Sequence, residues 1–418
     1  MTTADPAGTA AQAAEDVWRA EAASMLGVLA RRLGDLDRAE ESLQEALAEA
    51  LKHWADSGVP SQPAGWLVTT AWRKALDRLR RETAGQAKLA LVAGEPAPQP
   101  SDDDRLALIF ACCHPSLSQP AQVALTLSAV SGLATEEIAT AFLVPTSTLA
   151  QRLVRAKRRL REAGVRFTAP VAAKLGERLP AVLAVVYLVF NEGYLTSGGS
   201  APGPHRRELT REGLDLARQL ARLMPAEPEA AGLAALLELH EAREATRFDA
   251  DGRIVLLEDQ DRSRWDRDLI AQALTRLAAA VAHDRPGPYQ VQAGIAGQHA
   301  IARSFADTNW AVIRRHYDVL VDLQPSPVVR LNRAVATRYV HGPDAALAEL
   351  DAIAPQLGEY RLLHATRAEF LRALGRREEA DAALRRALAL ATNPAERELL
   401  ERRLSAPTPG ARPTPSGP

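Results

Sequence analysis

Apolar residues recur at three- and four-residue spacing along almost the whole chain, and this period restricts the fold more than any other feature. The same segments are rich in Ala, Leu, Arg and Glu, which favour helices. Pro- and Gly-rich stretches interrupt the period at 92–104, 196–205, 283–288 and 405–418. The sequence therefore predicts an all-α fold with boundaries at these stretches. Because 47% of the 418 residues are hydrophobic, several packed cores can form.

One short segment departs from the helical period. The stretch TRFDADGRIVLL, residues 246–257, places Asp-Gly between β-prone residues, which predicts a small hairpin. Its acidic residues resemble the start of a calcium loop, but Gly252 follows Asp249 too closely for a twelve-residue loop. A plain turn is the better interpretation.

An internal repeat is present near the C-terminus. Three small or apolar residues recur after thirty-four positions, the period of tetratricopeptide repeats: Ala334, Ala346 and Leu350 become Ala368, Ala380 and Leu384. Stacked helix pairs of this kind bury a core that no single pair has. A similar pattern occurs near the N-terminus, at Gly34, Ala39, Leu43 and Ala46. A scaffold built only of repeats is therefore an open alternative at this point.

A basic helix with two tryptophans follows the N-terminal pattern. Between Trp66 and Glu82 five basic residues stand against two acidic ones, and Trp72 lies among them. A single DNA strand needs cations for its phosphates and flat surfaces for its unstacked bases. The segment is therefore a candidate single-strand site, although a solvated helix with core tryptophans fits the same residues.

A second basic segment, residues 132–164, has the pattern of a helix-turn-helix. Thr135 can cap a short helix with an acidic first turn, and Pro145 marks a turn into a second helix. Along that second helix one apolar stripe is predicted, which consists of Leu149, Leu153, Ala156 and Leu160. The remaining faces are left to polar and basic residues.

Charge makes the second helix a strong candidate for DNA binding. Residues 145–166 hold seven basic residues against the single acid Glu162, in a chain whose formal net charge is −1. A recognition helix places its early side chains against base edges, while later arginines contact phosphates. An ordinary basic amphipathic helix is the alternative.

Both cysteines lie beside a histidine, in SDDDRLALIFACCHPSL at 101–117. Leu106, Ile109, Phe110 and Cys113 share one helical face, so Cys113 is predicted to be a core residue. A closed zinc site needs four ligands, and Cys112, Cys113 and His114 are adjacent on one segment. Neither this segment nor the lone histidine at 240 predicts a metal site, and no cofactor or catalytic residue is expected.

The two basic segments in this order resemble the extracytoplasmic-function sigma factors of the sigma-70 family, which bind RNA polymerase core and direct it to promoters. The resemblance covers residues 17–166: 31–54 resembles the region 2 helix that docks on the polymerase clamp, 65–82 the helix that reads the −10 element, and 132–164 the −35-reading region 4. Beyond 166, YLVFNEGY, LLEDQDRSRWD and SPVVRLNRAVA resemble the subgroup with a C-terminal tetratricopeptide extension.

The resemblance implies three sets of contact residues. The expected polymerase-binding residues are Glu40, Glu41, Gln44 and Glu45. The expected −10 residues are Trp66, Thr69, Trp72, Arg73, Lys74 and Arg78. The expected −35 residues are Thr146, Ser147, Gln151, Arg152, Arg155 and Arg158.

The chain departs from the family pattern at two places. Trp72-Arg73 stands where such factors commonly have Arg-Asn, so the family's −10 preference does not carry over. Leu143 occupies a turn position that often holds Gly, which predicts a turn of different shape.

The sequence thus predicts an all-α sigma factor with six parts. They are a region 2-like domain at 10–85, a linker at 86–104, a region 4-like domain at 105–168, a helical extension at 169–320, repeats at 321–404 and a disordered tail at 405–418. The expected partners are polymerase core, promoter DNA and a protein that binds the repeats. The start of the chain has no signal peptide and the longest apolar run is too short to span a bilayer, so a cytoplasmic location without membrane contact is expected.

Two further functions compete with this one. The first is a DNA-binding transcriptional regulator with a repeat-built sensor and no polymerase role, which would bind duplex DNA alone. The second is an enzyme in the extension around YLVFNEGY, but that segment shows no nucleophile-base pair or metal spacing.

Overall fold

A computed structural model describes residues 6–82, 97–142, 144–168, 172–194, 204–391 and 394–405. These residues form helices joined by short connections, which confirms the all-α prediction. The chain divides into two compact units. The first holds residues up to Gly193 together with His205–Leu223, and the second holds Tyr194, Pro204 and the residues from Met224 onward. No helix in the described ranges is long and apolar enough to cross a membrane.

The first unit contains nine described helices. They are α1 (Pro6–Leu33), α2 (Leu36–Ser57), α3 (Pro63–Glu82), α4 (Asp102–Cys112), α5 (Gln119–Ala129), α6 (Thr135–Ala141), α7 (Thr146–Glu162), α8 (Ala172–Tyr194) and α9 (Pro204–Leu223). The C-terminal Tyr194 of α8 and the first residue of α9, Pro204, belong to the second unit.

Helices α1 and α2 form a hairpin because the sequence ends one helix and caps the next. Gly34 adopts a φ of 68°, and the Asp35 side chain accepts a hydrogen bond from the backbone N–H of Arg38 at 3.2 Å. Ala39 and Leu43 are fully buried. The repeat-like pattern near the N-terminus therefore belongs to this hairpin, which is followed by α3 rather than by a second repeat.

Helix α4 crosses α1 at a residue without a side chain. A Cβ added at Gly27 would overlap the backbone carbonyl of Asp104, and Arg31 donates from Nε to Asp104 Oδ1 at 2.7 Å. Asp104 also belongs to the acidic first turn of α4, as the helix dipole favours, and Ser101 caps that turn. The two sigma-like parts of the chain therefore pack against each other. Residues 83–96, most of the expected linker, lie outside the described ranges.

Helices α8 and α9 belong to the first unit, so the expected boundary near residue 169 falls inside it. Arg178 of α8 donates to the carbonyl oxygen of Phe110 on α4 and lies 5.7 Å from the centre of its ring. A Cβ at Gly213 of α9 would come within 2.6 Å of the Phe190 backbone nitrogen, which shows how closely α8 and α9 pack. Phe190 itself is fully buried.

The second unit contains the remaining described helices. They are α10 (Pro228–Glu241), α11 (Arg267–Val281), α12 (Pro288–Ile301), α13 (Trp310–Leu323), α14 (Pro327–His341), α15 (Pro343–Ile353), α16 (Arg361–Ala373), α17 (Arg377–Leu390) and α18 (Pro394–Ser405). Of the tail expected to be disordered at 405–418, Ser405 ends α18, and the residues from 406 onward lie outside the described ranges.

The thirty-four-residue repeat corresponds to two stacked helix pairs. Ala334 on α14 and Ala368 on α16 are both buried, as are the residues that repeat on α15 and α17. They share one core with Leu331, Phe370 and Leu371. Gly342 and Gly375, with φ of 88° and 75°, end the first helix of each pair. The small residues thus let the paired helices approach, as the repeat predicts.

The predicted hairpin is present in its smallest form. Phe248 and Ile254 form an isolated antiparallel bridge, and Asp249 donates its backbone N–H to the carbonyl of Arg253 at 3.0 Å. Gly252 supplies the positive φ, 79°, that the turn requires. The Asp249 carboxylate accepts backbone N–H bonds of the turn, at 3.0 Å from Asp251 and 2.8 Å from Arg253.

Candidate nucleic-acid interface

The second helix of the helix-turn-helix, α7, buries the stripe that its period predicts. Leu149, Leu153, Ala156 and Leu160 are at most 5% exposed. Pro145 lies immediately before the helix, and its carbonyl accepts the backbone N–H groups of Thr148 and Leu149. Of the six expected −35 residues, Arg152 is half-buried and the other five are exposed. The structure therefore brings all six to the surface of one helix.

Helix α6 is capped differently from the prediction. Thr135 is its first residue rather than its cap, and the carboxylate of Glu137 accepts the backbone N–H of Ala134 at 2.7 Å. A glutamate at the third helical position can satisfy this donor, so the helix does not need a threonine side chain as its cap. Leu143, whose turn conformation was in question, lies outside the described residues.

A cleft of about 440 Å³ lies between the start of α5 and the outer face of α7. Ser116 and Ser118 line one side, and Arg152, Arg155 and Arg159 line the other. Arginines opposite a helix N-terminus favour an anionic occupant. The serines and Arg159 were not among the expected DNA contacts. The Ser118-Gln119-Pro120 start of α5 is the sequence signal that could have indicated them.

The expected −10 residues on α3 have different environments. Trp66 is half-exposed and stacks on His53 with ring centres 5.6 Å apart. Arg73 is exposed and Thr69 half-buried. Trp72, by contrast, is 2% exposed. The expectation that Trp72 offers a stacking surface is therefore wrong for this structure, because its ring belongs to the core of the α1–α3 bundle.

The other two −10 residues pair with α2. Lys74 Nζ lies 2.6 Å from Glu49 Oε2, and Arg78 forms ion pairs with Glu41 and Glu45. Two of the expected polymerase-binding residues thus bond to an expected −10 residue. The acidic face of α2 and the basic face of α3 form one continuous polar surface, in which each sign of charge partly neutralises the other.

Helix α2 also exposes a surface that is free of ion pairs in the described structure. Gln44 is exposed, and about two helical turns beyond it Leu51 is 45% exposed. Leu51 was not among the expected residues. Its position seven residues after Gln44 puts both on one helical face, and this spacing was available in the sequence.

Ion pairs connect the acidic start of α2 to the recognition helix α7. Lys157 lies 3.3 Å from Asp37 and also pairs with Glu40, while Arg161 Nε lies 2.9 Å from Asp35 and pairs with Asp37 as well. Burial alone would lower the pKa of Lys157, but the charges of Glu40 and Asp37 outweigh it and hold that pKa above its usual value. Lys157 is therefore a charged partner of α2.

The two cysteines are core residues. Both thiols are buried, and Cys113 Sγ lies 3.7 Å from Thr126 Oγ1. Burial raises the pKa of Cys113 to about 12, so the reactive thiolate is not populated near neutral pH. His114 points away into a local turn, where its Nδ1 lies 2.8 Å from Ser116 Oγ. In the described ranges no group of three or more His, Cys, Asp or Glu residues is arranged to hold a metal ion.

Comparison with protein families matches four segments of the chain. Residues 17–84 match Sigma-70 region 2 and residues 107–160 match Sigma-70 region 4. Residues 363–394, on α16 and α17, match the tetratricopeptide repeat. Residues 178–281 match a family of unknown function, DUF6596. The first two matches coincide with helices α1–α3 and α4–α7.

Three relatives show how far the similarity extends. An uncharacterized protein of Rhizobium meliloti (strain 1021) is 44% identical over 383 residues, which are 89% of this chain and 90% of that protein. The probable ECF RNA polymerase sigma factor SigI of Mycobacterium tuberculosis is 29% identical over 35% of this chain and 54% of its own length. The ECF RNA polymerase sigma factor SigK of Mycobacterium ulcerans is 28% identical over 32% of this chain and 76% of its own length. With both sigma regions in order and a repeat match behind them, the chain belongs to the extracytoplasmic-function sigma factors of the sigma-70 family that carry a C-terminal tetratricopeptide extension.

Proposed function

We propose that this sigma factor docks on RNA polymerase core through the exposed face of α2, contacts the −10 element through α3 and reads the −35 element through α7. The observation that carries this proposal is the arrangement of α7, whose apolar stripe is buried while its polar and basic residues face outward. A factor with these partners works in the compartment that holds polymerase and promoter, which in a bacterium is the cytoplasm.

In this proposal the early residues of α7 contact the bases of the −35 element. Thr146, Ser147 and Gln151 are exposed and lie in its first two turns, the part of a recognition helix that reaches base edges. Arg155 donates to Gln151 Oε1 at 2.9 Å, so the two side chains present a joint donor and acceptor surface. Arg158, one turn later, is placed for a phosphate rather than a base.

At the −10 element Trp66 takes the stacking role that was expected of two tryptophans. Its ring is partly exposed, and His53 and Trp54 support it from the protein side, with ring centres 5.6 Å from that of Trp66 in both pairs. Arg73 is the exposed cation of this face. Supported aromatic rings next to cations suit an unpaired strand, because every base offers a face for stacking.

Docking on polymerase competes with the contact between α2 and α7. Glu40 cannot contact polymerase while it holds Lys157, and Lys157 with Arg161 cannot turn toward DNA while they hold Asp35 and Asp37. We therefore propose that the described arrangement is a closed state of the free factor. Binding to core or promoter would replace these ion pairs with contacts to the partner.

For the extension we propose a regulatory role through a protein partner. Its helix pairs α14–α15 and α16–α17 stack around one core, and stacks of this kind present extended surfaces to other proteins. Such a partner would bind the repeats and change how the factor acts at promoters.

Reconstituted transcription with purified core polymerase tests the main proposal. The full chain should co-purify with core and start transcripts at a defined promoter position, and neither component should do so alone. A chain that binds duplex promoter tightly without core, and never associates with core, would instead act as a DNA-binding regulator with a repeat-built sensor.

A further inference from the structure

Five side chains that carry or can carry positive charge meet around a tyrosine inside the second unit. We name this group the Arg243 cluster; its members are Tyr194, His240, Arg243, Arg247, Arg262 and His299. Arg243 donates from Nε to the Tyr194 hydroxyl at 3.1 Å. Arg247 lies flat on the Tyr194 ring, with its guanidinium carbon 3.3 Å from the ring centre. His240 is next to the same ring, at 5.3 Å between centres.

Arg262 is the most buried member of the cluster, at 3% exposure. Its terminal nitrogens donate to the carbonyl oxygens of His299 at 2.7 Å and Ala302 at 3.2 Å, and to Thr308 Oγ1 at 3.3 Å. Its Nε is buried without a hydrogen-bond partner in the described structure. A guanidinium removed from water normally gains a carboxylate as compensation. Within the described ranges Arg262 has only neutral acceptors.

Arg243 and Arg247, like Arg262, bond to neutral acceptors in the described structure. In the part of the chain that the structure describes, Arg243 and Arg247 bond only to the hydroxyl and the carbonyl oxygen of Tyr194. Glu241 and Glu244 lie near Arg247 and Asp307 lies near Arg262, but none of them forms an ion pair with these guanidiniums. Three cations thus share a largely desolvated region without a bonded counter-ion among the residues that the structure describes.

Arg243 is the centre of the repulsion. Burial and, after it, the charge of Arg243 lower the pKa of His240 to about 3 and that of His299 to about 4. Arg243 also lowers the pKa of Arg247 and Arg262, in each case in addition to burial. The two histidines are therefore neutral near pH 7, and the charge of Arg243 repels both Arg247 and Arg262.

We propose that the Arg243 cluster binds a small oxyanion, a carboxylate or a phosphate group, on the terminal nitrogens of Arg243. Those nitrogens have no protein acceptor in the described structure, and the side chain is half-buried, so a solute can reach them. The planar fork of a guanidinium matches two oxygens of a carboxylate or phosphate. An anion at this point would also offset the repulsion from Arg247 and Arg262.

The site falls mainly within residues 178–281, the segment that matches a family of unknown function. The inference depends neither on polymerase binding nor on DNA binding, so it can fail or succeed separately from the proposed function. It gives the extension a ligand of defined chemistry in addition to any protein that binds its repeats.

Thermal unfolding of the full chain, with anions added, tests the proposal. Inorganic phosphate and succinate are compared with sodium chloride at equal ionic strength, which separates specific binding from charge screening. The bound anion should raise the unfolding midpoint of the second unit by about 5–10 °C at a hundredfold excess over its dissociation constant. Whether phosphate or succinate gives the larger rise identifies the class of ligand.

The variant Arg243→Gln distinguishes a binding residue from a structural one. Because it removes the central charge, it should leave the anion-free midpoint unchanged or higher and should abolish the rise with phosphate and succinate. Arg264→Gln is the matched control, since Arg264 is exposed in the same segment and should keep the full response. Tyr194→Phe, which keeps the charges but removes the hydroxyl that holds Arg243, should weaken anion binding several-fold.

Two results would overturn the proposal. One is an equal midpoint in chloride, phosphate and succinate for the unaltered chain. The other is an Arg243→Gln variant that unfolds at lower temperature without anions and still responds to them. Isothermal titration of the Tyr194→Phe variant provides a binding measurement that does not depend on the stability of Arg243→Gln.

Discussion

Gln151 shows what a residue-level prediction from sequence can reach. Its outward position followed from the spacing of Leu149 and Leu153, and the structure leaves it exposed on the second turn of α7. The hydrogen bond from Arg155 could not be foreseen in the same way, because it depends on side-chain conformations. That bond favours one orientation of the Gln151 amide in the free factor.

Replacing Gln151 with Ala should relax base preference at one or two positions of the −35 element. If the amide makes a bidentate contact to a base, the loss is about 1–3 kcal/mol at the preferred sequence and close to zero elsewhere. Competition binding of the core-bound factor to a set of single-base promoter variants measures the effect.

Arg158→Ala is the matched control for Gln151→Ala. Since Arg158 is placed for a phosphate, its loss should weaken all promoter sequences alike and reduce the salt dependence of binding. An unchanged base preference in Gln151→Ala would remove Gln151 from base readout.

Acid should destabilise the second unit because two of its histidines are held neutral. His299 has a pKa of about 4 in the folded chain and an ordinary value near 6.5 when unfolded. Between these values the unfolded state binds more protons, so stability falls as the pH drops from 6.5 toward 4, by up to about 1.4 kcal/mol per pH unit. Thermal unfolding from pH 7.5 to 5, in buffers without phosphate or carboxylate, measures the slope.

His299→Gln should reduce that slope, because glutamine stays neutral throughout the range. The exposed His283, changed to Gln, provides the comparison and should leave the slope as it was. A slope that is identical in all three proteins would assign the acid sensitivity to other groups.

Trp72 and the Arg243 cluster mark two different limits of the sequence. Trp72 lies four residues after Val68 and four before Leu76, both buried, so its place in the core was contained in the helical period. The prediction that Trp72 is a stacking surface relied on the basic residues around it and not on the helical spacing of the apolar residues. The Arg243 cluster could not be found in this way, because Tyr194, Arg243 and His299 are far apart in sequence and meet only through tertiary packing.

At the scale of single helices, α2 has one face that packs in the core and another that is exposed. One face packs through Leu36, Leu43 and Ala50, and an adjacent face exposes Gln44 and Leu51. The period predicted both faces. It did not predict that most of the acids between them would pair with α3 and α7, because those partners come from other helices.

Leu51→Asp should weaken binding to polymerase core roughly tenfold, since it removes partly exposed apolar surface and places a charge at the contact. Because Leu51 is 45% exposed, the helix content of the free factor should not change. Surface-bound core and circular dichroism give the two measurements. Val59→Asp, at a residue of 39% exposure beyond the end of α2, should bind core normally. Equal binding by both variants would contradict docking through this face.

Asp37→Asn should favour the open form of the factor. Asp37 pairs with both Lys157 and Arg161, and it is neither the cap of α2 nor an expected polymerase contact. Partly exposed ion pairs contribute about 0.5–1 kcal/mol, so core should bind this variant roughly two- to fivefold more tightly. Asp77→Asn, which breaks an exposed pair with Arg80, is the control. Weaker core binding by Asp37→Asn would mean that Asp37 itself contacts polymerase.

For the whole molecule, the important difference between sequence and structure is where the first unit ends. The Pro- and Gly-rich break at 196–205 was visible, but the sequence could not show that α8 and α9 on either side of it pack with the sigma regions. That packing depends on Arg178 reaching the Phe110 carbonyl and on the contact of Gly213 with Phe190.

A chain that ends at Arg166 should therefore unfold at a temperature at least about 5 °C below that of a chain that ends at Leu223. The shorter chain loses the charged hydrogen bond from Arg178 and the apolar cover of α4. Scanning calorimetry compares the two. Similar midpoints would mean that α8 and α9 contribute nothing to the sigma regions. The chain ending at Leu223 is then the proper reference for the effect of the repeats on transcription. We expect the full chain and this shorter chain to differ in transcription activity.

Substitutions at Gly27 should separate α4 from α1 and so favour the open form of the factor. Because any side chain there would overlap the backbone of Asp104, every missense codon at this position pushes α4 away from α1, whatever residue it encodes. A selection for alleles with raised activity at the factor's promoter should thus collect diverse substitutions at a single codon. Most substitutions that raise activity require one particular new side chain. At Gly27 any side chain is sufficient, because each one fills the space that the backbone of Asp104 needs.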